Sequence, residues 1–251
     1  MALINLNFFS ESLGMQTTAI VVIPQKSTNG EIGITNKNNN NKYKCLYLLH
    51  GLSDDQTIWM RRTSIERYAA EYGICVVMPC GAKSFYTDMK TGMNYYTYIA
   101  KELPALIEDM LNVSDKREDR FIGGLSMGGY GALKIALKEY ARYGAAFGLS
   151  SVADINNIGF NDVLLPVFGE EIPKSDDLFY LAKEHNGDDV KPRIYMTIGR
   201  DDFLYDDNIR LKKHFSELEY DFEFVETDGT HSWDLWDRTV QSALKWMLKK
   251  E

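Results

Sequence analysis

The sequence predicts a three-layer α/β fold with a mainly parallel central sheet. From Cys45 onward, short apolar runs alternate with longer helical stretches, and this order persists almost to the C-terminus. Several runs, such as CLYLL and CVVMP, are apolar without alternation. Continuous apolar runs are typical of parallel strands, because helices cover both faces of the sheet. Alternating strands and helices therefore favour an α/β protein over an all-β or all-α one.

The predicted elements follow in chain order. Two strands at 4–9 and 16–24, separated by a turn at Leu13-Gly14, are expected to pair in antiparallel fashion. The stretch 27–44 contains a run of asparagines and is too polar to bury, so we expect an exposed connection there. Further strands are predicted at 45–51, 74–79, 120–126, 143–151, 193–199 and 221–227. Helices are predicted at 64–71, 96–111, 127–140, 207–218 and 235–249.

The length of the chain and the absence of a linker sequence indicate one domain. A chain of 251 residues can surround a single core, and neither a linker nor an internal repeat divides it, so we expect one domain over 1–251. The one irregular stretch is 152–191, which separates two predicted strands. Loops of this length are uncommon unless they are functional. We therefore expect a cap or a wall of the substrate pocket at 152–191.

Composition excludes several classes of function. With 36 acidic and 28 basic residues, the net charge is -8, and no local basic patch compensates, so we expect no nucleic-acid partner. No apolar run approaches the roughly 18 residues of a membrane helix, and the first residues do not resemble a signal peptide. The three cysteines, an odd number, fit a reduced compartment. We therefore expect a cytoplasmic protein without membrane contact.

Ser126 is the predicted nucleophile. It lies in GLSMGG, between the apolar run RFIGG and the helix-forming stretch GALKIALKEY. A serine in such a sharp strand-to-helix turn is lifted out of the fold, and the small residues two positions away on each side relieve backbone crowding. The start of the following helix adds unpaired N–H groups and a partial positive charge beside the hydroxyl.

His231 is the predicted base, because a serine nucleophile needs one. It directly follows the strand predicted at 221–227, at the edge where an α/β sheet presents its catalytic groups. Among the other histidines, His214 lies in an amphipathic helical stretch and is expected at the surface, and His185 lies in a polar loop with no strand end to hold it. We therefore expect His231 to act as general base and then as general acid.

The acid should follow another strand between the serine and the histidine. The strand predicted at 193–199 ends in Arg200-Asp201-Asp202. Neighbouring residues in a turn point in different directions, so only one carboxylate can meet the imidazole, and spacing does not choose between Asp201 and Asp202. The chain order serine, aspartate, histidine is that of the α/β-hydrolases.

Two backbone amides are expected to bind the oxyanion of the tetrahedral intermediate. One is the N–H of Met127, immediately after the nucleophile. The other is expected in the loop after an early strand, where CLYLL leads into His50-Gly51-Leu52. Gly51 allows close approach of the backbone to the substrate, so the Leu52 N–H is the predicted second donor. His50 is expected to brace this loop.

In combination, these motifs resemble those of one family. The segments LLHGLSDDQTIW, VVMPCG, GLSMGGYGALKIAL, GRDDFLYDDN and DGTHSWDLW resemble the esterase D-like branch of the α/β-hydrolases, and bacterial tributyrin esterases in particular. The likeness extends over nearly the whole chain. It implies a three-layer α/β-hydrolase fold with a mainly parallel central sheet and antiparallel N-terminal strands. The family's Gly-x-x-Asp-Phe-Leu pattern maps onto 199–204 and selects Asp202 as the acid. Trp59 is expected either in the wall of the substrate pocket or in the packing of its loop, and Trp233 either in the pocket wall or in the core.

The resemblance implies a serine carboxylesterase that acts on short-chain acyl esters, from acetyl to butyryl, and it extends to enzymes that remove acyl groups from carbohydrates. S-formylglutathione hydrolases share the branch, but they carry a histidine where this chain has Tyr130, so thioester hydrolysis ranks second. An acyltransferase with the same triad and a binding module without catalysis are further alternatives. We expect a small-molecule ester as the partner and, by analogy, a homo-oligomer. No HExxH motif, CxxC spacing or phosphate loop occurs, so we expect no metal or cofactor.

Overall fold

The computed structural model describes residues 1–25 and 42–248. Most of the connection predicted at 27–44, and the last residue of the helix predicted at 235–249, lie outside these ranges. Within the described ranges, no helix is both long enough and apolar enough to cross a membrane.

In the described part of the chain, eight strands form one sheet. They are β1 Ala2–Ser10, β2 Met15–Ile23, β3 Cys45–Leu49, β4 Cys75–Pro79, β5 Arg120–Leu125, β6 Ala145–Leu149, β7 Arg193–Gly199 and β8 Phe222–Thr227. Their order in the sheet is β1-β2-β4-β3-β5-β6-β7-β8. The pairs β1/β2 and β2/β4 are antiparallel and all other pairs are parallel. The predicted fold class is confirmed, and each strand lies within two residues of its predicted bounds.

Helices cover both faces of this sheet. They are α1 Ile58–Arg62, α2 Ile65–Tyr72, α3 Tyr95–Thr97, α4 Leu103–Met110, α5 Met127–Lys138, α6 Asn161–Phe168, α7 Leu178–Glu184, α8 Tyr205–Ser216 and α9 Trp233–Met247. The prediction missed α1, α6 and α7, because helices of five to eight residues are too short to show a helical period. Of these, α6 and α7 lie within 152–191, so much of that stretch is helical.

The helix predicted at 96–111 is not continuous. A π-helical segment, Tyr98–Glu102, separates α3 from α4. Pro104 at the start of α4 has no N–H to donate, and its ring clashes with the carbonyl four residues earlier. A wider turn relieves such a clash, which explains the local change of helix type.

The sheet separates two apolar clusters. Along β3, the side chains of Cys45, Tyr47 and Leu49 belong to the cluster that includes α4, α5 and α8. Leu46 and Leu48, between them, belong to the cluster that includes α2 and α9. Every residue of β3 to β6 is buried, which accounts for the absence of alternation in those runs. The result is a three-layer arrangement with helices on both sides of the sheet.

Two glycines bring α5 close to the end of β3. A Cβ atom on Gly128 would lie 2.5 Å from the carbonyl oxygen of Leu49 and 2.6 Å from that of His50. A Cβ atom on Gly124 would lie 2.6 Å from the carbonyl carbon of Gly128. These neighbours are backbone atoms of a strand and a helix, so they cannot move aside as a flexible side chain could. Only glycine fits this contact.

We expect Gly128→Ala to lower the free energy of unfolding by roughly 1–3 kcal/mol or more, because the added methyl group overpacks the contact. Gly187→Ala is the matched control, since no heavy atom of the described residues lies within 4 Å of an added Cβ there. Urea unfolding of both variants and the wild type measures the difference. Equal stability of the two variants would contradict the assignment.

Candidate active site

Ser126 lies at a strained turn between β5 and α5. It caps the N-terminus of α5 with φ of 53° and ψ of -118°, a conformation that residues with a Cβ rarely adopt. Its backbone is held in three places: its N–H donates to Leu149 O at 2.9 Å, and its carbonyl accepts from Tyr130 N at 3.1 Å and Val152 N at 3.2 Å. Such strain persists when the surroundings over-determine the conformation, and it is concentrated at functional sites.

A hydrogen-bonded chain joins Ser126, His231 and Asp202. The Oγ of Ser126 lies 3.1 Å from His231 Nε2, and His231 Nδ1 lies 2.9 Å from Asp202 Oδ2. An ionised carboxylate can only accept, so Nδ1 carries the proton and donates. In the neutral ring, Nε2 is then free to accept the proton of the serine hydroxyl. The distance from Ser126 Oγ to His231 Nε2 falls within the reach required for proton transfer, and Asp202 holds the other nitrogen without taking its proton.

Of the two adjacent aspartates, only Asp202 meets the imidazole. Its side chain is fully shielded from solvent, and its Oδ1 also accepts a hydrogen bond from Leu204 N at 3.0 Å. Asp201 is exposed. The structure therefore brings together the serine and histidine expected from the motifs and the aspartate selected by the family pattern.

Two aromatic rings hold the imidazole of His231 in place. The ring centroid of Phe203 lies 4.6 Å from that of His231, and Trp236 packs edge-on against it at 4.8 Å. Phe203 is itself 67% exposed, although it directly follows the buried Asp202. Phe203 was not predicted as a site residue, and the only sequence signal for it is its position directly after the predicted acid.

The loop after β3 lies against the nucleophile. A Cβ atom on Gly51 would lie 2.8 Å from Leu125 Cδ1 and 3.8 Å from the Cβ of Ser126. Leu52 and Ser126 line the same cavity. Met127 begins α5, and the first N–H groups of a helix have no partner within it. Both amides expected to bind an oxyanion therefore belong to segments that adjoin the serine.

A mostly apolar cavity of about 460 Å³ opens beside Ser126. Its apolar wall consists of Leu52, Leu125, Phe160, Phe203, Trp233 and Trp236. Phe160 comes from the stretch 152–191, just before α6.

Trp59 does not line this cavity. It is buried behind Trp233, with the two rings edge to face at 5.2 Å, and its Nε1–H donates to Leu49 O at 3.0 Å. The expectation of Trp59 in the pocket wall is therefore corrected: Trp233 forms the wall, and Trp59 has the alternative packing role behind it. Both are large and apolar, so composition alone could not distinguish the two positions.

The remaining histidines lie outside the triad. His50 is buried, and its Nε2 accepts a hydrogen bond from Gly81 N at 2.8 Å. Its Nδ1 therefore carries the proton and donates to Gly51 O at 2.7 Å. His214 is half-buried rather than at the surface as predicted, because its Nε2–H donates to Phe179 O at 2.8 Å. The Nδ1 atom of His185 lies 2.8 Å from Oδ2 of Asp188.

The acidic side chains after β7 have separate partners. Asp202 faces His231, whereas Asp207 accepts hydrogen bonds from Asn157 at 3.0 Å and Arg210 at 2.6 Å. In the part of the chain that the structure describes, no group of three or more His, Cys, Asp and Glu side chains is arranged to hold a metal ion.

We expect the free energy of unfolding to fall as the pH is lowered, and we expect part of this loss to come from His50. Burial lowers the pKa of His50 below its usual value of about 6.5, although the hydrogen bond to Gly51 O opposes this. Below about pH 6.5 the unfolded chain then binds a proton that the folded chain does not, so the free energy of unfolding falls as the pH falls. Urea unfolding at about pH 7.5 and about pH 5.5 measures this loss, which should be smaller in His50→Gln. An equal loss in both proteins would contradict the role of His50.

The sequence also matches characterised proteins over nearly its full length. The sequence model of the Esterase family, described as "Putative esterase", matches residues 10–247. A protein named acetyl esterase from Caldicellulosiruptor saccharolyticus is 31% identical over 267 aligned residues, which cover 99% of this chain and 99% of that protein.

Two solved structures from Staphylococcus aureus have the same fold. One is FphF, described as a fluorophosphonate-binding serine hydrolase in a substrate-bound form, with 33% identity and a TM-score of 0.89 over 99% of each chain. The other is described as the apoenzyme of an S-formylglutathione hydrolase, FrmB, with 33% identity and a TM-score of 0.87 over 99% of each chain. The chain therefore belongs to the Esterase family, in the esterase D-like branch of the α/β-hydrolases, and is a carboxylic ester hydrolase.

Proposed function

We propose that this enzyme is a serine carboxylesterase that hydrolyses short-chain acyl esters, from acetyl to butyryl, through an acyl-serine intermediate. The observation that carries the proposal is the hydrogen-bonded chain from Asp202 through His231 to Ser126, which ends in a small apolar cavity. The likeness to a protein named acetyl esterase over the full length supports the same chemistry.

The first step forms the acyl-enzyme. The Oγ of Ser126 attacks the ester carbonyl carbon, and its proton passes to His231 Nε2. Asp202 holds the Nδ1–H and stabilises the imidazolium that results. The carbonyl oxygen becomes an oxyanion, which accepts hydrogen bonds from the backbone amides of Leu52 and Met127. When the bond to the alcohol breaks, the imidazolium returns its proton to the departing oxygen.

The second step releases the acid. A water molecule attacks the acyl carbon while His231 takes one of its protons, and the same two amides hold the second oxyanion. When this intermediate collapses, the bond to Ser126 Oγ breaks and His231 protonates that oxygen. The products are a carboxylic acid and the free enzyme. These groups complete the reaction without a cofactor.

The cavity supports a preference for short acyl chains. About 460 Å³ must accommodate the acyl group and the part of the alcohol next to the ester bond. Phe160 and Phe203 stand at its wall, and both are partly exposed. We infer that the stretch 152–191 contributes to the pocket wall through Phe160, which lines the cavity. Acetyl esters of carbohydrates are one class of substrate that fits a small acyl group on a polar alcohol.

Thioester hydrolysis of S-formylglutathione is the second candidate, because a structure with that description shares the fold at 33% identity. Among the described residues that line the cavity, none is a lysine or an arginine that would bind the carboxylates of glutathione, and Asp54 adds a negative charge. Tyr130 does not bear on this choice, since it is fully buried and donates to Asp176 O at 2.6 Å. The cavity therefore favours the ester.

We also place the enzyme in the cytoplasm, with a small-molecule ester as its partner and a homo-oligomer as its assembly. Cys45, Cys75 and Cys80 are all free thiols, and the first two are buried. Free thiols are typical of a reducing compartment.

We expect hydrolysis of p-nitrophenyl esters to be fastest for acetate to butyrate and to fall steeply for longer acyl chains, because the acyl group and the alcohol must share a cavity of about 460 Å³. Ser126→Ala should lose more than about 10⁴-fold in kcat/KM, since the nucleophile is removed. Ser216→Ala, an exposed serine on α8, serves as the control. The same assay should include S-formylglutathione as a substrate, to compare thioester with ester hydrolysis. Dominant thioester turnover would promote the second candidate, and near-normal activity of Ser126→Ala in a folded protein would overturn the mechanism.

Asp202→Asn should lower kcat by up to about 10⁴-fold, because an amide can donate to Nδ1 and hold His231 in the wrong tautomer. Asp201→Asn is the matched control and should change kcat by less than about twofold, because its side chain is exposed. Steady-state kinetics on p-nitrophenyl acetate compares the two variants. The reverse ranking would assign the acid to Asp201.

A further inference from the structure

Two successive carbonyl groups in the loop after β3 are each held by a buried side chain. The hydroxyl of Tyr86 donates to the carbonyl oxygen of His50 at 2.8 Å. The Nδ1–H of His50 donates to the carbonyl oxygen of Gly51 at 2.7 Å. Tyr86 is fully buried and His50 is 1% exposed, so water cannot replace either donor. The Gly51 carbonyl also accepts a longer hydrogen bond from Asp54 N at 3.3 Å. The peptide planes on both sides of Gly51 are therefore held by these two side chains together with the turn to Asp54.

The second of these planes contains the Leu52 amide. The peptide between Gly51 and Leu52 is planar and trans, so its N–H points opposite to its C=O. His50 holds the C=O on the buried side of the loop. The N–H is then directed to the other side, where Leu52 and Ser126 line the active-site cavity.

We propose that His50 and Tyr86 are positioning residues that direct the Leu52 N–H at the oxyanion of the tetrahedral intermediate. This inference rests on the proposed function, in which Leu52 supplies one of the two oxyanion donors. Neither His50 nor Tyr86 is among the residues that line the active-site cavity. Each acts through a backbone carbonyl of the loop.

A strained loop at 81–86 contains Tyr86 and the backbone N–H group that holds His50. Gly81 N–H donates to His50 Nε2 at 2.8 Å, and Tyr86 follows five residues later. Ser84 links the two, since its Oγ donates to Gly81 O at 2.6 Å and accepts from Tyr86 N at 3.0 Å. Ala82, Phe85 and Tyr86 have φ values of 46°, 48° and 51°. Three such residues in one short loop carry a conformational cost, and strain of this kind is concentrated at functional sites. This supports a role for the loop in the adjoining active site.

Lys134 ties this loop to the nucleophile helix. Its Nζ is fully buried, donates to Phe85 O at 3.1 Å and to Thr87 Oγ1 at 2.5 Å, and pairs with Asp176 at 3.1 Å. Burial lowers the pKa of Lys134 to about 8, even though Asp176 opposes the shift. Lys134 belongs to α5, whose first residue, Met127, supplies the other oxyanion amide. The two donors of the oxyanion site are therefore connected through one buried network.

The test removes the hydroxyl of Tyr86 and compares the result with a matched control. Tyr86→Phe deletes a buried hydroxyl that holds His50 O, and Tyr143→Phe deletes a buried hydroxyl that has no hydrogen-bond partner among residues 1–25 and 42–248. Removing an oxyanion donor outright costs about 10²–10³-fold in kcat, so loosening one should cost about tenfold. We expect that loss in Tyr86→Phe with KM within about twofold, and no change in Tyr143→Phe.

A second readout separates positioning from general loosening. A trifluoromethyl ketone forms a tetrahedral adduct with Ser126, so its inhibition constant should rise in Tyr86→Phe by the same factor by which kcat/KM falls. His50→Gln should also lower kcat/KM and raise the inhibition constant by the same factor. It replaces Tyr86→Phe in the test if that variant does not fold. A rise in KM alone, or equal losses in Tyr86→Phe and Tyr143→Phe, would overturn the inference. Activity that survives Ser126→Ala would instead overturn the proposed function itself.

Discussion

The contact between Gly128 and the carbonyl groups of Leu49 and His50 is the constraint on which the rest of the site depends. It places the first turn of α5 against the end of β3, two segments that are neighbours because β3 pairs directly with β5. These segments supply the nucleophile and both candidate oxyanion amides. A Cβ at 128 would lie 2.5 Å from Leu49 O, where ordinary van der Waals contact begins at 3.4 Å, so the two segments would have to move apart. A displacement near 1 Å is enough to impair catalytic geometry.

The proton-transfer partners reach this point from the other half of the sheet. Parallel strands end at one edge, so the loops after β7 and β8 bring Asp202 and His231 to the same place as Ser126. The Asp202 side chain is shielded from solvent, where its attraction for a protonated imidazole is stronger than in water. The ring contacts of Phe203 and Trp236 restrict His231 to the orientation in which each nitrogen has one partner.

Local patterns predicted the strands and two members of the triad, because each depends on residues close together in sequence. Ser126 and His231 follow strands directly, and apolar runs identify those strands. Asp201 and Asp202 follow a strand equally well, so spacing could not separate them. The choice needed either the family pattern or the contact with His231. The helices within 152–191 were missed, because they are too short to show a period.

The sequence by itself determined the layer order, the strand-to-helix turn at Ser126 and the edge of the sheet where the chemistry lies. Only the tertiary structure decided which tryptophan lines the cavity, how Lys134 is buried, and which groups hold the loop before Leu52. The physical reason is the range of the interactions. Strand period and turn chemistry are set by neighbours in the chain. The hydrogen bond from Tyr86 to His50 joins residues 36 positions apart, and that from Lys134 to Phe85 joins residues 49 apart, and no local pattern records them.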